Sequence, residues 1–138
     1  MNVIERFNDR YPFGELLGLE ITDVGDGYVE GRLELEDHHS LSESMLLAHG
    51  AVPFGLADSL SAAALASVEG NPGPTIDVRI DYLRPATGDI HGTAEVVRYG
   101  EDTGIVEADI YDENDRRVAT TRGVYKTNVV EGKNPFVD

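Results

Sequence analysis

The segment HGAVPFGLADSLSAAALASVE, residues 49–69, decides how this chain folds. Apolar residues lie on nearly every side of the helix that it predicts, from about residue 49 to 68, so we expect other elements to enclose that helix. Pro53 is compatible with a helix only in the first turn, which places the helix start near Gly50. The sequence Gly-Asn-Pro-Gly-Pro at 70–74 is expected to end the helix.

Asp58 is the one ionisable residue between the ends of this segment, in a chain that carries 26 acidic residues. A charge in apolar surroundings is costly unless it is paired, binds a metal or takes part in chemistry. Two structural alternatives stay open. The Asp58 side of the helix reaches solvent, or the carboxylate pairs with an arginine or bonds to the backbone. The functional interpretation depends on this residue.

The rest of the chain predicts strands around that helix. A short amphipathic helix is expected at 3–10 and a loose tail at 128–138. Strands are predicted on both sides of a Gly-Asp-Gly turn before the central helix, and four more follow it, at about 75–82, 89–99, 103–111 and 117–126. Because the turns are short, we expect successive strands to be antiparallel neighbours. The sequence thus predicts a single α+β domain, 1–138, in which a curved antiparallel sheet of about six strands wraps one helix.

The alternation of apolar and polar residues indicates the faces of these strands. Val29, Gly31, Leu33 and Leu35 share one face of a strand whose other face is charged, and Ile76 to Tyr82 alternate in the same way. One helix cannot cover both faces of the sheet, and the sheet edges need protection. We therefore expect a homodimer, with a homotetramer as the alternative.

The net charge of -15 is the second unusual property of the chain. Only two residues are lysines, Lys126 and Lys133, and no basic stripe is present, so nucleic acid is not expected as a partner. Such a charge strains the compact state by self-repulsion. We therefore expect adaptation to a salty, halophilic cytosol, with an ordinary acidic domain as the alternative.

The amino-acid composition argues against several classes of protein and of binding site. With no cysteine, disulfides, thiol catalysis and thiolate metal sites are excluded. The four histidines lack metal-ligand spacing, so no metal site is expected. No leader for secretion is recognisable, and Pro53, Asp58 and three serines make the central segment too polar for a bilayer span. A cytoplasmic location without membrane contact is expected.

Two motifs resemble the hotdog-fold acyl-CoA thioesterases, in particular the PaaI-like, phenylacetate-pathway branch. One is His49-Gly50-Ala51 with Asp58 nine positions after the histidine, and the other is the strand TIDVRIDYLRPA, residues 75–86. The opening LLGLEITDVGDGYVEGRLEL and the order of the closing strands fit as well. The likeness covers residues 14–127, which is nearly the whole chain.

The resemblance implies a hydrolase that cleaves acyl- or aryl-CoA thioesters to free acid and coenzyme A, with no cofactor beyond the coenzyme A of its substrate. It assigns Asp58 as general base or nucleophile, the Gly50 N–H as the donor that polarises the thioester carbonyl, and Thr75 as an assisting residue. The resemblance also implies a site between subunits, with Asp58 from one chain and the helix start from the other. We expect His49 to have a positional role and Arg84 to meet the phosphates of coenzyme A.

The chain departs from the family pattern on the loop before the helix. Glu43 stands where an asparagine is common, and Leu46 and Ala51 stand where glycines are common. Glu43 could orient water or share a proton with a second acid, or it could simply face solvent. These departures favour, as an alternative, a non-catalytic acyl-CoA-binding or regulatory domain. A hydratase or dehydratase that uses His49 with Asp58 is a second alternative.

If the chain is adapted to salt, its melting temperature should rise between low and molar KCl. At 1 M salt the Debye length falls to about 3 Å, so repulsion among the acidic side chains is largely screened. Thermal unfolding followed by circular dichroism in a KCl series measures this. A melting temperature that stays level or falls over the series would contradict salt adaptation.

Overall fold

A six-stranded antiparallel sheet packs against one long helix in the computed structural model of this chain, which describes residues 2–69 and 73–128. The sheet order is β1-β2-β4-β5-β6-β3, and every neighbouring pair is antiparallel. This arrangement confirms the predicted α+β class. The helices are α1 Val3–Asp9, α2 Pro12–Leu17 and α3 Ala51–Glu69, and a 3-10 turn covers Asp37–His39. The strands are β1 Leu19–Gly25, β2 Tyr28–Leu33, β3 Thr75–Tyr82, β4 Ile90–Tyr99, β5 Thr103–Tyr111 and β6 Arg117–Lys126.

The element boundaries lie close to those that the sequence predicts. Helix α1 ends one residue before the predicted limit of 10, and α3 begins at Ala51, two residues after the predicted 49. Pro53 therefore lies in the first turn of α3, where its missing N–H leaves no helical hydrogen bond unmade. Apart from Asn128, the predicted tail at 128–138 lies outside the described residues.

The place of β3 corrects one expectation from the sequence. Successive strands were expected to be neighbours, but β3 pairs with β6 at one edge of the sheet, whereas β4 lies between β2 and β5. Residues 83–89 therefore connect strands that are far apart in the sheet. The apolar side chains of this edge strand are also partly uncovered. Ile76 is 56% exposed and Tyr82 is 53% exposed. Within residues 2–69 and 73–128 of one chain, no strand pairs with the outer side of β3.

The sheet packs closely against α3 at a pair of glycines. Gly31 of β2 and Gly92 of β4 are directly opposite each other, and both face Leu60 of α3. A Cβ atom at Gly31 would lie 2.5 Å from one methyl group of Leu60, and a Cβ atom at Gly92 would lie 3.1 Å from the other. Glycine at both positions therefore lets the fully buried Leu60 reach the backbone of the sheet.

Helix α3 is the centre of the core. Its buried side chains include Leu56, Leu60 and Leu65. By length and composition alone, Ala51–Val68 could cross a bilayer, so the expectation that the segment is too polar to do so was wrong. However, 67% of this window is buried inside the fold, which is typical of the core helix of a globular domain.

His39 connects the loop before α3 to the rest of the fold. Its side chain is 5% exposed, its Nδ1 accepts a hydrogen bond from the Glu36 N–H at 3.0 Å, and its carbonyl oxygen accepts one from the His49 N–H at 2.9 Å. Burial disfavours the charged ring and lowers the pKa of His39, and the neighbouring His38 adds to the effect. The ring is therefore held in its neutral form.

Replacing His39 with asparagine should flatten the dependence of thermal stability on pH between 7 and 5. In the native protein the pKa of His39 is lowered, so the unfolded chain binds this proton more readily and stability falls as the pH drops below about 6.5. Asparagine keeps an acceptor near the Glu36 N–H but does not titrate. Melting temperatures over a pH series measure the effect, with His91→Asn on β4 as the control, because His91 lies beside Asp115 and Tyr111 and not beside His39. An unchanged pH slope in His39→Asn would contradict the assignment.

Candidate active site

The start of α3 has one backbone donor left over. His49 caps the helix: its Nδ1 accepts from the Ala51 N–H at 3.0 Å and its carbonyl oxygen accepts from the Val52 N–H at 2.9 Å. Pro53 has no N–H to offer. The Gly50 N–H donates to none of the described residues, so it is the open donor at the positive end of the helix dipole.

Tyr82 of β3 lies directly against this glycine. Its hydroxyl donates to the Gly50 carbonyl oxygen at 2.7 Å, and a Cβ atom at position 50 would lie 3.1 Å from that hydroxyl oxygen. Burial raises the pKa of Tyr82, which keeps the phenol protonated as a donor. A groove of about 280 Å³ opens here, lined by Gly50, Pro53, Tyr82 and Arg84 among others. Because glycine carries no side chain, this groove has access to the backbone of the helix start.

Asp58 lies half-buried on α3, two turns after Gly50, and its carboxylate is held by two hydroxyl groups. The Thr75 hydroxyl donates to Asp58 Oδ1 at 3.0 Å, and the Tyr125 hydroxyl donates to the same oxygen at 3.1 Å. No arginine or lysine of the described residues forms an ion pair with Asp58, so the alternative of an arginine-paired structural acid is not observed. The second oxygen, Oδ2, accepts no hydrogen bond within the ranges 2–69 and 73–128.

Tyr125 is a residue of the candidate site that was not predicted from the sequence. The alternating pattern of the last strand places it on the buried face, and its side chain is 1% exposed. That pattern is equally typical of a core tyrosine, and it contains no sign that this ring meets Asp58. The contact depends on how far β6 lies from α3, which spacing along the chain does not reveal.

Gly50 and Asp58 lie apart within one chain. Eight residues of α-helix rise about 12 Å, so the open N–H and the carboxylate cannot both contact one thioester group. The groove beside Gly50 accordingly does not include Asp58 among its lining residues. The structure thus places Thr75 with Asp58, and Tyr82 and Arg84 with Gly50, at two separate places.

Glu43 is the predicted site residue on the loop before α3. Glu43 is exposed on the loop at 40–47, where the hydroxyl of Ser40 organises the backbone, and it makes no hydrogen bond to Asp58 of its own chain. The structure therefore does not bring the two acids together within one chain.

Among the residues that the structure describes, no cluster of His, Asp and Glu could hold a metal ion.

Arg84, which follows β3, differs from Arg79 and Arg122 of the sheet. Arg79 pairs with Asp81, and Arg122 forms an ion pair on β5, whereas Arg84 is exposed and has no carboxylate of the described residues within 4.0 Å. Its backbone N–H bonds to the Val118 carbonyl oxygen at 3.3 Å, which fixes the chain beside the Gly50 groove. Arg84 is therefore a cation available at the mouth of that groove.

A family model described as the thioesterase superfamily matches residues 47–119, more than half of the chain. The chain belongs to the thioesterase superfamily. It is 31% identical over 137 residues to a candidate esterase of Halobacterium salinarum, covering 90% of this chain and 89% of that protein. It is 30% identical over 112 residues to human acyl-coenzyme A thioesterase 13, covering 78% of this chain and 79% of the human protein.

A solved structure agrees with this assignment. The structure of a mutant of the phenylacetic acid degradation protein PaaI from Thermus thermophilus is similar to this thioesterase with a TM-score of 0.75 and 26% identity, over 83% of this chain and 97% of that one. The predicted hotdog fold and the PaaI-like identification are therefore confirmed. The chain is a thioesterase enzyme, which favours that interpretation over the non-catalytic and the hydratase alternatives.

Proposed function

We propose that this thioesterase hydrolyses acyl- or aryl-coenzyme A thioesters to free acid and coenzyme A at a site formed by two chains. The observation that carries the proposal is the hydrogen bonding of the Asp58 carboxylate. Oδ1 accepts from two donors, while Oδ2 has no partner among the described residues. The open Gly50 N–H provides the complementary donor. The similarity to a human protein named for acyl-coenzyme A substrates supports the substrate class.

The reaction requires a base or nucleophile and a donor for the developing oxyanion. Asp58 Oδ2 takes a proton from water as the water oxygen bonds to the thioester carbon, and the Gly50 N–H stabilises the carbonyl oxygen as it becomes negative. The C–S bond then breaks, and the thiolate leaves with the proton that Asp58 holds. Alternatively, Oδ2 itself bonds to the carbonyl carbon, the C–S bond breaks to release the thiolate, and water hydrolyses the resulting anhydride to regenerate Asp58 and release the acid. Removing one oxyanion donor typically costs about a hundred- to a thousandfold in rate.

Strand β3 explains how two chains complete the site. Thr75, which contacts Asp58, begins this edge strand, and Tyr82, which contacts Gly50, ends it, about 23 Å away. Antiparallel pairing of β3 with β3 of a second copy about a two-fold axis places the first end of one strand beside the last end of the other. The same pairing would cover the exposed Ile76. The dimer thus brings Asp58 of one chain towards Gly50 of its partner.

Arg84 supplies the charge that coenzyme A requires. The substrate carries several phosphate charges, and the chain has a net charge of -15, so long-range electrostatics oppose binding. An arginine without an acidic partner at the mouth of the Gly50 groove offers a local phosphate contact. A salty cytoplasm would screen the remaining repulsion, in keeping with the proposed location.

Replacing Asp58 with asparagine should reduce thiol release from acyl-CoA by about a hundred- to ten-thousandfold, because the amide keeps the shape of the carboxylate but is not a base. A disulfide reagent that reports free coenzyme A measures the rate over a panel of aliphatic and aromatic CoA thioesters. Asp26→Asn, in the exposed turn between β1 and β2, is the matched control and should retain full activity. Full turnover by Asp58→Asn would exclude Asp58 as base and nucleophile.

A further inference from the structure

Tyr125 and Thr75 act on the same carboxylate oxygen from adjacent strands. The two residues are directly opposite each other in the β3–β6 pair, and both hydroxyls donate to Asp58 Oδ1. Two donors on one oxygen fix the rotation of the carboxylate about its last side-chain bond. Oδ2 is then presented in one direction only.

Gly123 makes the contact from Tyr125 possible. The residues lie two apart in β6, so they share a face of the sheet, and the tyrosine ring lies back over the glycine. A Cβ atom at position 123 would lie 2.6 Å from Cε2 and 2.8 Å from the hydroxyl oxygen of Tyr125. Any side chain at position 123 would push the phenol out of the place where it meets Asp58.

We propose that Tyr125 is a positioning residue of the thioesterase reaction, whose phenol holds Asp58 Oδ1 so that Oδ2 faces the bound thioester. The inference rests on the proposed function and concerns a residue that never touches the substrate. A purely structural role would be different: the buried hydroxyl would use Asp58 only as a convenient acceptor, and its loss would affect stability alone.

The phenol is suited to donate throughout the working pH range. Burial raises the pKa of Tyr125, and the negative charge of Asp58 raises it further. Ser61 of α3 also faces the phenol oxygen, but the serine hydroxyl does not reach hydrogen-bond geometry. No charged group of the described residues forms an ion pair with Asp58, so Thr75 and Tyr125 are the groups that face it with hydrogen-bond donors.

Tyr125→Phe should lower kcat about tenfold and leave KM within about twofold, because it misplaces the base without changing the binding surface. Removing a donor to a carboxylate also destabilises its ionised form, so the acid limb of the pH–rate profile should move up by about one pH unit. Tyr99→Phe is the matched control, since its buried hydroxyl has no hydrogen-bond partner in the described part of the chain. The control should change neither kcat nor the acid limb.

Replacing Tyr125 with 3,5-difluorotyrosine gives a second variant that keeps the ring and strengthens the donor. Its acid limb should move to lower pH, opposite to the shift in Tyr125→Phe. If both variants show an unmoved acid limb and wild-type kcat while Asp58→Asn is inactive, the positioning role is wrong and the proposed function stands. If Asp58→Asn retains full turnover, the proposed function fails and the role of Tyr125 fails with it.

Discussion

A carboxylate on an otherwise apolar helix must find hydrogen-bond donors without losing its ability to react. Asp58 meets this requirement with two neutral hydroxyls on one oxygen, from Thr75 and Tyr125. A guanidinium partner would have satisfied both oxygens and made the acid a structural ion pair. Neutral donors on one side leave the other oxygen available, so the same contacts that let the fold tolerate the charge also leave it free for the proposed reaction.

The fold provides this arrangement through close approach of sheet and helix. The Gly31–Gly92 pair lets Leu60 contact the backbone of the sheet, and Gly123 makes room for the ring of Tyr125 over β6. Both contacts require the absence of a Cβ atom at a defined place. The helix is therefore held at a distance from β6 at which a tyrosine hydroxyl reaches the carboxylate. Packing in the core and geometry at the site thus both depend on glycines of the sheet, Gly31 and Gly92 for the core and Gly123 for the site.

Much of this fold was predictable from local patterns, whereas the completed site was not. Alternation along β2 and the apolar composition of α3 predicted both elements within three residues, because burial on one face or on all faces leaves a periodic signal. The order of strands was misjudged for β3, because a seven-residue connection is compatible with both a neighbouring strand and a distant one. The role of Tyr125 depends on a contact across 67 residues, for which no local pattern exists.

The central claim is that Asp58 of one chain and the Gly50 N–H of its partner form one site, and subunit mixing tests it most directly. Asp58→Asn lacks the base, and Gly50→Pro lacks the N–H, so neither variant alone should release coenzyme A. After subunit exchange, half of the dimers are mixed and each contains one intact site, so activity should recover to about one quarter of the wild-type value. Mixtures that stay inactive, although mass spectrometry shows that mixed dimers have formed, would contradict the account.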